Sequence, residues 1–186
     1  MPLLLTCHAD TPCAALERIE VEIGPAEHGA LRLTYRMLGN VELVAATTLP
    51  PAERPRRRDE LWRHTCCELF VRDAAGDGYR ELNFAPCGDW AAYRFTGYRT
   101  GMAPLDTAAP RIALERTPTA LALTVTLPDQ PYAELDGRRI GLACVVETPA
   151  GLAYWALAHP RGRPDFHHAD AFAVTLAVAH TARSTA

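Results

Sequence analysis

The sequence predicts an all-β protein whose strands form a sandwich or a barrel. Apolar side chains recur at every second position through most of the 186 residues, which is the periodicity of half-buried strands. Short segments rich in Gly and Pro separate the alternating stretches, and helical periodicity is weak. With 48% hydrophobic residues, the chain has enough apolar content for the core of a single domain spanning residues 1–186.

Each predicted strand is justified by its own alternation and by the turn that follows it. The first alternates clearly, because Ile19, Val21 and Ile23 share one face and charged residues take the other. In the middle of the chain the connections AAGDG and CG are short and contain glycine, as β-hairpins require. The predicted strands cover residues 16–24, 30–38, 66–73, 78–86, 89–98, 110–117, 120–128, 138–148, 152–158 and 170–178.

Three segments interrupt this strand pattern. A proline at the first turn predicts a short helix from Pro55 to Trp62. Residues 131–137 predict a single helical turn before the next strand. Residues 158–170 form a long irregular segment, and loops of that length inside a compact domain commonly carry function.

Composition excludes several classes of function. The net charge is −3, whereas a general nucleic-acid binder needs a basic excess for phosphate contacts. All 19 basic residues are arginine, so Schiff-base and other lysine-dependent mechanisms are excluded. The chain has no run of about 20 apolar residues to span a membrane, and its N-terminus lacks the charged start of a secretory signal. We therefore expect a cytoplasmic protein that binds neither nucleic acid nor membranes.

Strands 66–73, 78–86 and 89–98 carry charged and amide residues where a plain sandwich needs only apolar ones. Alternation places the apolar residues of each strand on one face, and we assign Tyr93 and Phe95 to that core face. Cross-strand neighbours lie about 5 Å apart, so carboxylate, amide and guanidinium groups on the other face can bond to one another. That predicted polar face carries Glu68, Glu81, Asn83, Trp90 and Arg94.

Two interpretations of this polar face are open. It can be a solvent-exposed surface with ion pairs of little energetic value, or a concave surface that holds a polyhydroxy ligand. Aromatic residues accompany the charges and favour the second interpretation, because aromatic rings stack on the C–H faces of sugars while polar groups take the hydroxyls. These aromatic residues are Trp62, Tyr79, Trp90 and Tyr98.

Three motifs follow one another along the chain. They read RRRDELWRHTCCELFV (56–71), YRELNFAPCGDWAAYRFTGYRTGM (79–102) and YWALAHPRGRPDFHHADAF (154–172). Their order and spacing resemble those of the bacterial DOMON-like domains, which are relatives of the family 9 carbohydrate-binding modules. The resemblance implies an immunoglobulin-like or jelly-roll β-sandwich of about ten mostly antiparallel strands. It also implies non-catalytic binding of a small ligand, a carbohydrate in the first place, on one face of the sandwich.

The resemblance further implies the roles of particular residues. In the sugar-binding relatives a tryptophan forms an aromatic wall and a glutamate six positions later takes hydroxyls, and Trp62 and Glu68 have that spacing. A second aromatic wall comes from a late loop, which here offers Phe166, His167 and His168 in place of a tryptophan. The predicted ligand-binding residues are Trp62, Glu68, Glu81, Asn83, Arg94, Arg99, Asp165, His167 and His168.

Three other functions remain open from the sequence. Haem is bound by some relatives through a methionine and a histidine, for which Met102 with His167 or His168 is the corresponding pair here. A protein-interaction module is the second alternative. A glycan-active enzyme would use Glu68 and Glu81 as its carboxylate pair, although we expect neighbouring arginines to hold both ionised. The chain contains no GxSxG, GxGxxG or HExxH motif, which favours a non-catalytic binder.

The late segment concentrates titratable side chains within twelve positions. A metal or acid–base site is one interpretation, since His and carboxylate groups are ligands of transition metals. The interpretation we favour is that Asp165 and His167 fix the loop through bonds to the backbone and to arginines on the neighbouring sheet. The six cysteines show no CxxC spacing, and no metal site is predicted.

Overall fold

Antiparallel strands dominate the computed structural model, which describes residues 1–46 and 56–178. Five short 3-10 helices connect some of the strands, at Glu27–Gly29, Val41–Leu43, Leu61–Arg63, Tyr132–Leu135 and Ala169–Ala171. The strands are β1 Leu3–Cys7, β2 Leu16–Pro25, β3 Ala30–Gly39, β4 Cys66–Arg72, β5 Tyr79–Phe84, β6 Trp90–Phe95, β7 Ala103–Pro104, β8 Arg111–Arg116, β9 Ala120–Pro131, β10 Arg139–Thr148, β11 Gly151–Ala156 and β12 Val174–Thr175. The predicted all-β sandwich is therefore confirmed.

Two layers of sheet form the sandwich. The front sheet contains β7-β6-β5-β4-β10-β11 in that order, with β12 paired to β10, and the back sheet contains β2-β3-β9-β8. Strand β1 joins the two layers, because Thr6 and Cys7 pair with β11 while Leu3 to Leu5 pair with β2. The chain thus forms one continuous hydrogen-bonded surface that curls back on itself.

The hydrophobic core lies between the inner face of the front sheet and the back sheet. Alternate residues of β4 and β5 point into it, and their packing against the back sheet removes large apolar areas from water. The Tyr35 hydroxyl of β3 donates a hydrogen bond of 2.8 Å to the backbone oxygen of Glu68, which ties the layers together. Core residues from the front sheet include Cys67, Leu69, Val71, Leu82, Phe84, Trp90, Ala92, Leu142 and Cys144.

The outer face of the front sheet is also covered. A second apolar cluster forms there from alternate residues of β4, β5 and β6 together with the late part of the chain. Residues 157–168, here named the capping loop, and the 3-10 helix after it lie over this face. The cluster includes Cys66, Phe70, Tyr79, Ala91, Tyr93, Phe95, Ala143, Val145, Phe166 and Phe172.

Because both faces of the front sheet are covered, the faces predicted for β6 were assigned the wrong way round. The register pairs Glu81 with Tyr93, so Tyr93 and Phe95 share the outer face with the glutamates. Trp90 belongs to the core instead, and Arg94 lies on the same side of β6 as Trp90 and is exposed. The prediction failed because both faces of β6 carry apolar residues, and alternation alone does not say which set meets the larger core.

The predicted strands are present except the last. Residues 170–178 contain only the two-residue strand β12, preceded by a 3-10 helix. The backbone oxygen of Phe172 accepts bonds of 2.7 and 3.0 Å from the Arg139 guanidinium, so a side chain replaces a strand partner there. Conversely, the short strands β1 and β7 were not predicted.

The predicted helix from Pro55 to Trp62 is wrong for the residues that are described; Pro55 itself lies outside them. The backbone groups of Arg56 and Arg58 each pair with Trp90 at 2.9 Å, which holds this stretch extended. Only Leu61–Arg63 is helical, and it is a single 3-10 turn. The helical turn predicted within residues 131–137 is confirmed at Tyr132–Leu135. In the part of the chain that is described, no helix is long and apolar enough to cross a membrane.

Candidate functional site

The outer face of the front sheet and the capping loop enclose a cavity of about 310 Å³, here named the main cavity. This volume lies at the lower end of the range for small-molecule sites. A wider, more open depression, here named the vestibule, adjoins it and shares Arg99, Tyr154 and Pro164 with it. The main cavity is lined by Trp62, Glu68, Glu81, Phe95, Arg99, Met102, Val145, Tyr154, Pro164, Phe166 and His167.

Strand register explains why two glutamates meet at this cavity. Glu68 of β4 lies opposite Asn83 of β5, and Glu81 is two residues before Asn83, so all three side chains share the outer face. On the other side of Glu68, β10 presents the small residue Ala143. The methyl side chain of Ala143 leaves space above the sheet that a larger side chain would fill.

Glu68 is a buried carboxyl group that the protein satisfies only in part. Its side chain is 2% exposed, and its Oε1 atom has no hydrogen-bond partner among the described residues. Burial raises the pKa of Glu68 well above its ordinary value, the charge of Glu81 raises it further, and the guanidinium of Arg99 opposes both effects. Burial therefore favours the neutral carboxyl form in the folded protein.

Glu81 is buried as well but is better supported. Its Oε1 atom accepts a hydrogen bond of 2.7 Å from the side-chain amide of Asn83. Burial raises the pKa of Glu81 to about 7, although the bond from Asn83 and the charge of Arg99 act to lower it. The amide oxygen of Asn83 has no partner of its own within the described protein.

These pKa values correct the expectation that arginines hold both glutamates ionised. Arg80 and Arg94 lie on the other face of the sheet, where the Arg80 guanidinium bonds to Gln130 at 2.6 Å. Among the described residues, Arg99 is the one arginine whose charge lowers the pKa values of the two carboxyls, and its side chain is half exposed. Desolvation therefore outweighs the single favourable charge.

His167 closes one side of the main cavity and is held in its neutral form. Its Nδ1 atom lies 2.8 Å from the Tyr79 hydroxyl, and its Nε2 atom lies 3.8 Å from Oε2 of Glu81. Burial, and then the charge of Arg99, lower the pKa of His167 to about 4. The Tyr79 oxygen accepts a bond of 3.2 Å from the backbone N–H of Arg99, so its own proton is available to Nδ1. This arrangement favours the tautomer with Nε2–H directed toward Glu81.

Asp165 fixes the capping loop to the turn that follows β6. Its two oxygens accept bonds of 2.8 Å from the Arg99 guanidinium and 2.5 Å from the Tyr98 hydroxyl. It also accepts a bond of 3.1 Å from the backbone N–H of His167. Partial burial acts to raise the pKa of Asp165, but these bonds outweigh it and lower the pKa. Arg99 has a φ of 52°, a left-handed conformation that the bonds to Asp165 and Tyr79 help to hold.

The loop-fixing role that we favoured for Asp165 and His167 thus matches the contacts of the structure. Within residues 1–46 and 56–178, no cluster of three or more His, Cys, Asp or Glu side chains could hold a metal ion. His168 lies in the vestibule, where its Nδ1 atom accepts a bond of 3.2 Å from the backbone N–H of Asp170.

The arrangement does not fit haem ligation by methionine and histidine. Met102 and His167 line the same cavity. Both nitrogens of His167 are directed at protein groups, however, Nδ1 at Tyr79 and Nε2 at Glu81. Ligation by His167 would separate a buried histidine from these groups, and His168 lines the vestibule rather than the main cavity.

Most of the sequence-predicted site residues are brought together. Trp62, Glu68, Glu81, Arg99 and His167 line the main cavity, and Asn83 supports it from behind through Glu81. Asp165 and His168 line the vestibule, whereas Arg94 is on the wrong face. Sequence reasoning did not nominate several lining residues, namely Phe95, Val145, Tyr154 and Pro164, whereas Phe166 had been named as part of the late loop. Phe95 had been assigned to the core, and the proximity of Val145 and Tyr154 depends on β10 lying beside β4, which no local signal reveals.

Solved structures with a similar fold have been found. The chain is similar to a provisionally assigned carbohydrate-binding protein from Bacteroides uniformis, with a TM-score of 0.57 and 16% identity over 92% of this chain and 82% of that one. A family 9 carbohydrate-binding module from Caldicellulosiruptor kristjanssonii, solved in complex with glucose, gives a TM-score of 0.43 and 10% identity over 78% and 69%. At 16% identity the first similarity shows the fold alone. No protein-family model and no curated protein matches the chain, so the DOMON-like assignment stays a prediction.

Proposed function

We propose that this protein binds a small carbohydrate in the main cavity without transforming it. The observation that carries the proposal is the unpartnered Oε1 atom of Glu68 in an aromatic-lined cavity. Buried polar atoms in folded proteins nearly always have a partner, and leaving one unpaired costs about 1–3 kcal/mol. A ligand hydroxyl supplies the missing partner, and this explains why the fold keeps a carboxyl group at this position.

The surrounding groups suit a sugar. Trp62 and Phe166 offer aromatic surface for the C–H face of a ring, and Arg99 can donate to hydroxyl oxygens. A protonated carboxyl both donates and accepts, so Glu68 and Glu81 can bond to hydroxyls in either sense. The similarity in fold to a provisionally assigned carbohydrate-binding protein supports the same ligand class. A concave cavity also fits a small ligand better than a protein surface, for which we expected a flat face with buried aromatics.

The decisive experiment is isothermal calorimetry with glucose, galactose, mannose and N-acetylglucosamine on wild type and on Glu68→Leu. We expect at least one sugar to bind wild type and to lose roughly tenfold or more in affinity with Glu68→Leu, because an aliphatic side chain of similar size can neither donate nor accept a hydrogen bond. The matched control is Glu115→Leu, which changes an exposed glutamate on the edge strand β8 and should bind like wild type. Equal binding by Glu68→Leu, or no binding of any sugar, would contradict the proposal.

Tryptophan fluorescence gives an independent test at Trp62. The other two tryptophans, Trp90 and Trp155, are 6% and 5% exposed and belong to the core. A sugar that stacks on Trp62 should therefore change the emission of that residue, and Trp62→Phe should bind without the signal. Trp62→Ala should lose both the signal and most of the affinity, because stacking on the sugar needs the aromatic ring. An unchanged emission spectrum at saturating ligand would exclude Trp62 from the site.

A glycan-active enzyme is the second candidate, and the carboxyl pair is the observation that favours it. A group such as Glu81, with a pKa of about 7, can transfer a proton near neutral pH. If the protein cleaves glycosides, a panel of nitrophenyl glycosides should release product, and Glu81→Gln should lower the rate by roughly 10²–10⁴-fold. Binding without any product release supports the non-catalytic function instead.

A further inference from the structure

We infer that the carbohydrate bound here carries an anionic group, a phosphate or a carboxylate, which the vestibule holds while the sugar ring occupies the main cavity. This inference rests on the proposed function. The two spaces adjoin one another, because Arg99, Tyr154 and Pro164 line both of them. A ligand seated on Glu68 and Glu81 therefore extends past Arg99 into the vestibule.

The vestibule has a surplus of unpaired positive charge. Arg161 and Arg163 of the capping loop line it and are exposed, and neither has an ion pair or side-chain hydrogen bond within the described residues. Guanidinium groups match the geometry of phosphate and carboxylate oxygens and bind them through paired hydrogen bonds. Two such groups beside a sugar-sized cavity form a site that prefers an anion.

The acidic residues of the vestibule do not cancel this charge. Asp165 is already bonded to the Arg99 guanidinium at 2.8 Å and to the Tyr98 hydroxyl at 2.5 Å. Asp170 is 72% exposed and pairs with no arginine among the described residues, so two free guanidinium groups face one free carboxylate. In the main cavity, burial raises the pKa of Glu68 well above its ordinary value and that of Glu81 to about 7, so the pair repels an anionic ligand less than two full negative charges would.

The backbone that carries the two arginines is anchored, so their place beside the main cavity is set before a ligand arrives. Between them, the backbone oxygen of Gly162 lies 2.9 Å from Nε2 of His8. The ring of His159, just before this stretch, lies 2.8 Å from the backbone oxygen of Thr6. Pro160 and Pro164 restrict the backbone on either side. A fixed loop loses less conformational entropy on binding than a free one does.

Calorimetry with matched pairs of ligands tests the inference. The neutral probes are glucose and galactose, and the anionic probes are glucose 6-phosphate, glucose 1-phosphate, glucuronate and galacturonate. We expect the best anionic probe to bind about tenfold tighter than its neutral parent, with an advantage that shrinks as salt is added. The ranking of phosphates against carboxylates identifies the anionic group.

The variant Arg161→Gln/Arg163→Gln should lose this advantage and leave the affinity for the neutral sugar unchanged. The matched control is Arg32→Gln/Arg36→Gln, which removes two exposed arginines from β3 in the back sheet and should keep the preference. If neutral and anionic probes bind equally, or if the capping-loop variant weakens both alike, the inference is overturned while sugar binding stands. If neither class binds, the proposed function fails and the inference fails with it.

Discussion

The inner and outer faces of the front sheet are built from the same strands, but the inner face packs in the core and the outer face lines the main cavity. On β4 the inner face presents Cys67 and Leu69 to the core, which contains no charged side chain in its cluster. One residue away, the outer face presents Glu68, whose carboxyl group is buried with one oxygen unpaired. Both faces are excluded from water, so burial alone does not distinguish structure from function. What distinguishes them is the kind of group left unpaired, which is an indole N–H of Trp90 or Trp155 on the core side and a carboxyl or amide oxygen of Glu68 or Asn83 on the outer face.

The outer face keeps polar groups whose burial costs stability. Replacing buried charged or polar groups by apolar ones of similar size is often neutral or stabilising. The outer face nevertheless keeps two carboxyls and an amide, and it needs the capping loop to cover them. The inner face can therefore be tested by what it contributes to stability, and the outer face by what its polar groups contribute to binding.

The largest effect should follow from Phe84→Ala on the inner face. Phe84 is fully buried between the two sheets, and removing its ring should lower the free energy of unfolding by about 3–5 kcal/mol. The matched variant is Phe70→Ala on the outer face, where Phe166 and Phe172 pack against the ring at 6.5 and 6.1 Å between centroids. We expect a smaller loss there, because the apolar cluster on the outer face is smaller than the core between the sheets. Urea denaturation measures both, and equal losses would contradict the distinction between the faces.

The dependence of stability on pH should separate the two faces next. The pKa of Glu81 is raised from 4.5 to about 7, so its neutral form stabilises the fold fully below about pH 4.5 and this stabilisation is lost as the pH rises through 7. The pKa of His167 is lowered from 6.5 to about 4, so its contribution is present above about pH 6.5 and is lost as the pH falls through 4. Each contribution is on the order of 3 kcal/mol, and the two oppose one another between these limits.

Single variants should expose these opposing slopes. The measurement is the free energy of unfolding at each pH. Subtracting the Glu81→Gln values from the wild-type values should leave a contribution that falls from pH 4.5 to 7. Subtracting the His167→Asn curve should leave one that rises from pH 4 to 6.5. Phe84→Ala serves as the control, because it lies on the inner face and should lower the whole curve without changing its shape. A flat difference curve for both outer-face variants would show that neither group titrates as its burial requires.

A smaller effect on stability is expected from Asp165→Asn in the vestibule. Its bond to Arg99 is partly exposed, so the free energy of unfolding should change by less than about 1 kcal/mol. Ligand affinity should fall more noticeably, by several-fold, because Asp165 helps to hold Arg99 in its left-handed conformation. Asp106→Asn, at an exposed carboxylate away from both cavities, is the control. If Asp165→Asn destabilises the fold strongly and leaves sugar affinity unchanged, the residue is structural.

Sequence reasoning identified most of the strands, and the exceptions have physical reasons. Alternation with period two identified β4 and β5 and put Glu68, Glu81 and Asn83 on one face, as the register confirms. It could not detect β1, which is five residues long and buries only Leu5. It also predicted a strand at residues 170–178, where the Arg139 guanidinium takes the backbone oxygen that a strand partner would use.

The site was predictable only in its local parts. Trp62 and Glu68 were nominated because their separation of six positions resembles that of the sugar-binding relatives, and both line the main cavity. Tyr154 could not be placed, because its nearness to Glu68 depends on the sheet order β4-β10-β11 rather than on any neighbouring residue. The pKa values of the glutamates were expected in the wrong direction for a related reason. The charge of an arginine is visible in a sequence, whereas the desolvation that outweighs it is not.

The smallest effect is expected from Arg94→Gln, and it tests the corrected face of β6. Arg94 is exposed and lies on the side opposite the glutamates, so both stability and sugar affinity should stay close to wild type, within about 0.5 kcal/mol. The matched variant is Arg99→Gln, five residues later, which removes a guanidinium that lines the main cavity. Calorimetry should show a clear loss of affinity for Arg99→Gln alone. An equal loss for both variants would contradict the corrected face of β6. An exposed guanidinium on the other side of the sheet has no contact through which it could act on the ligand.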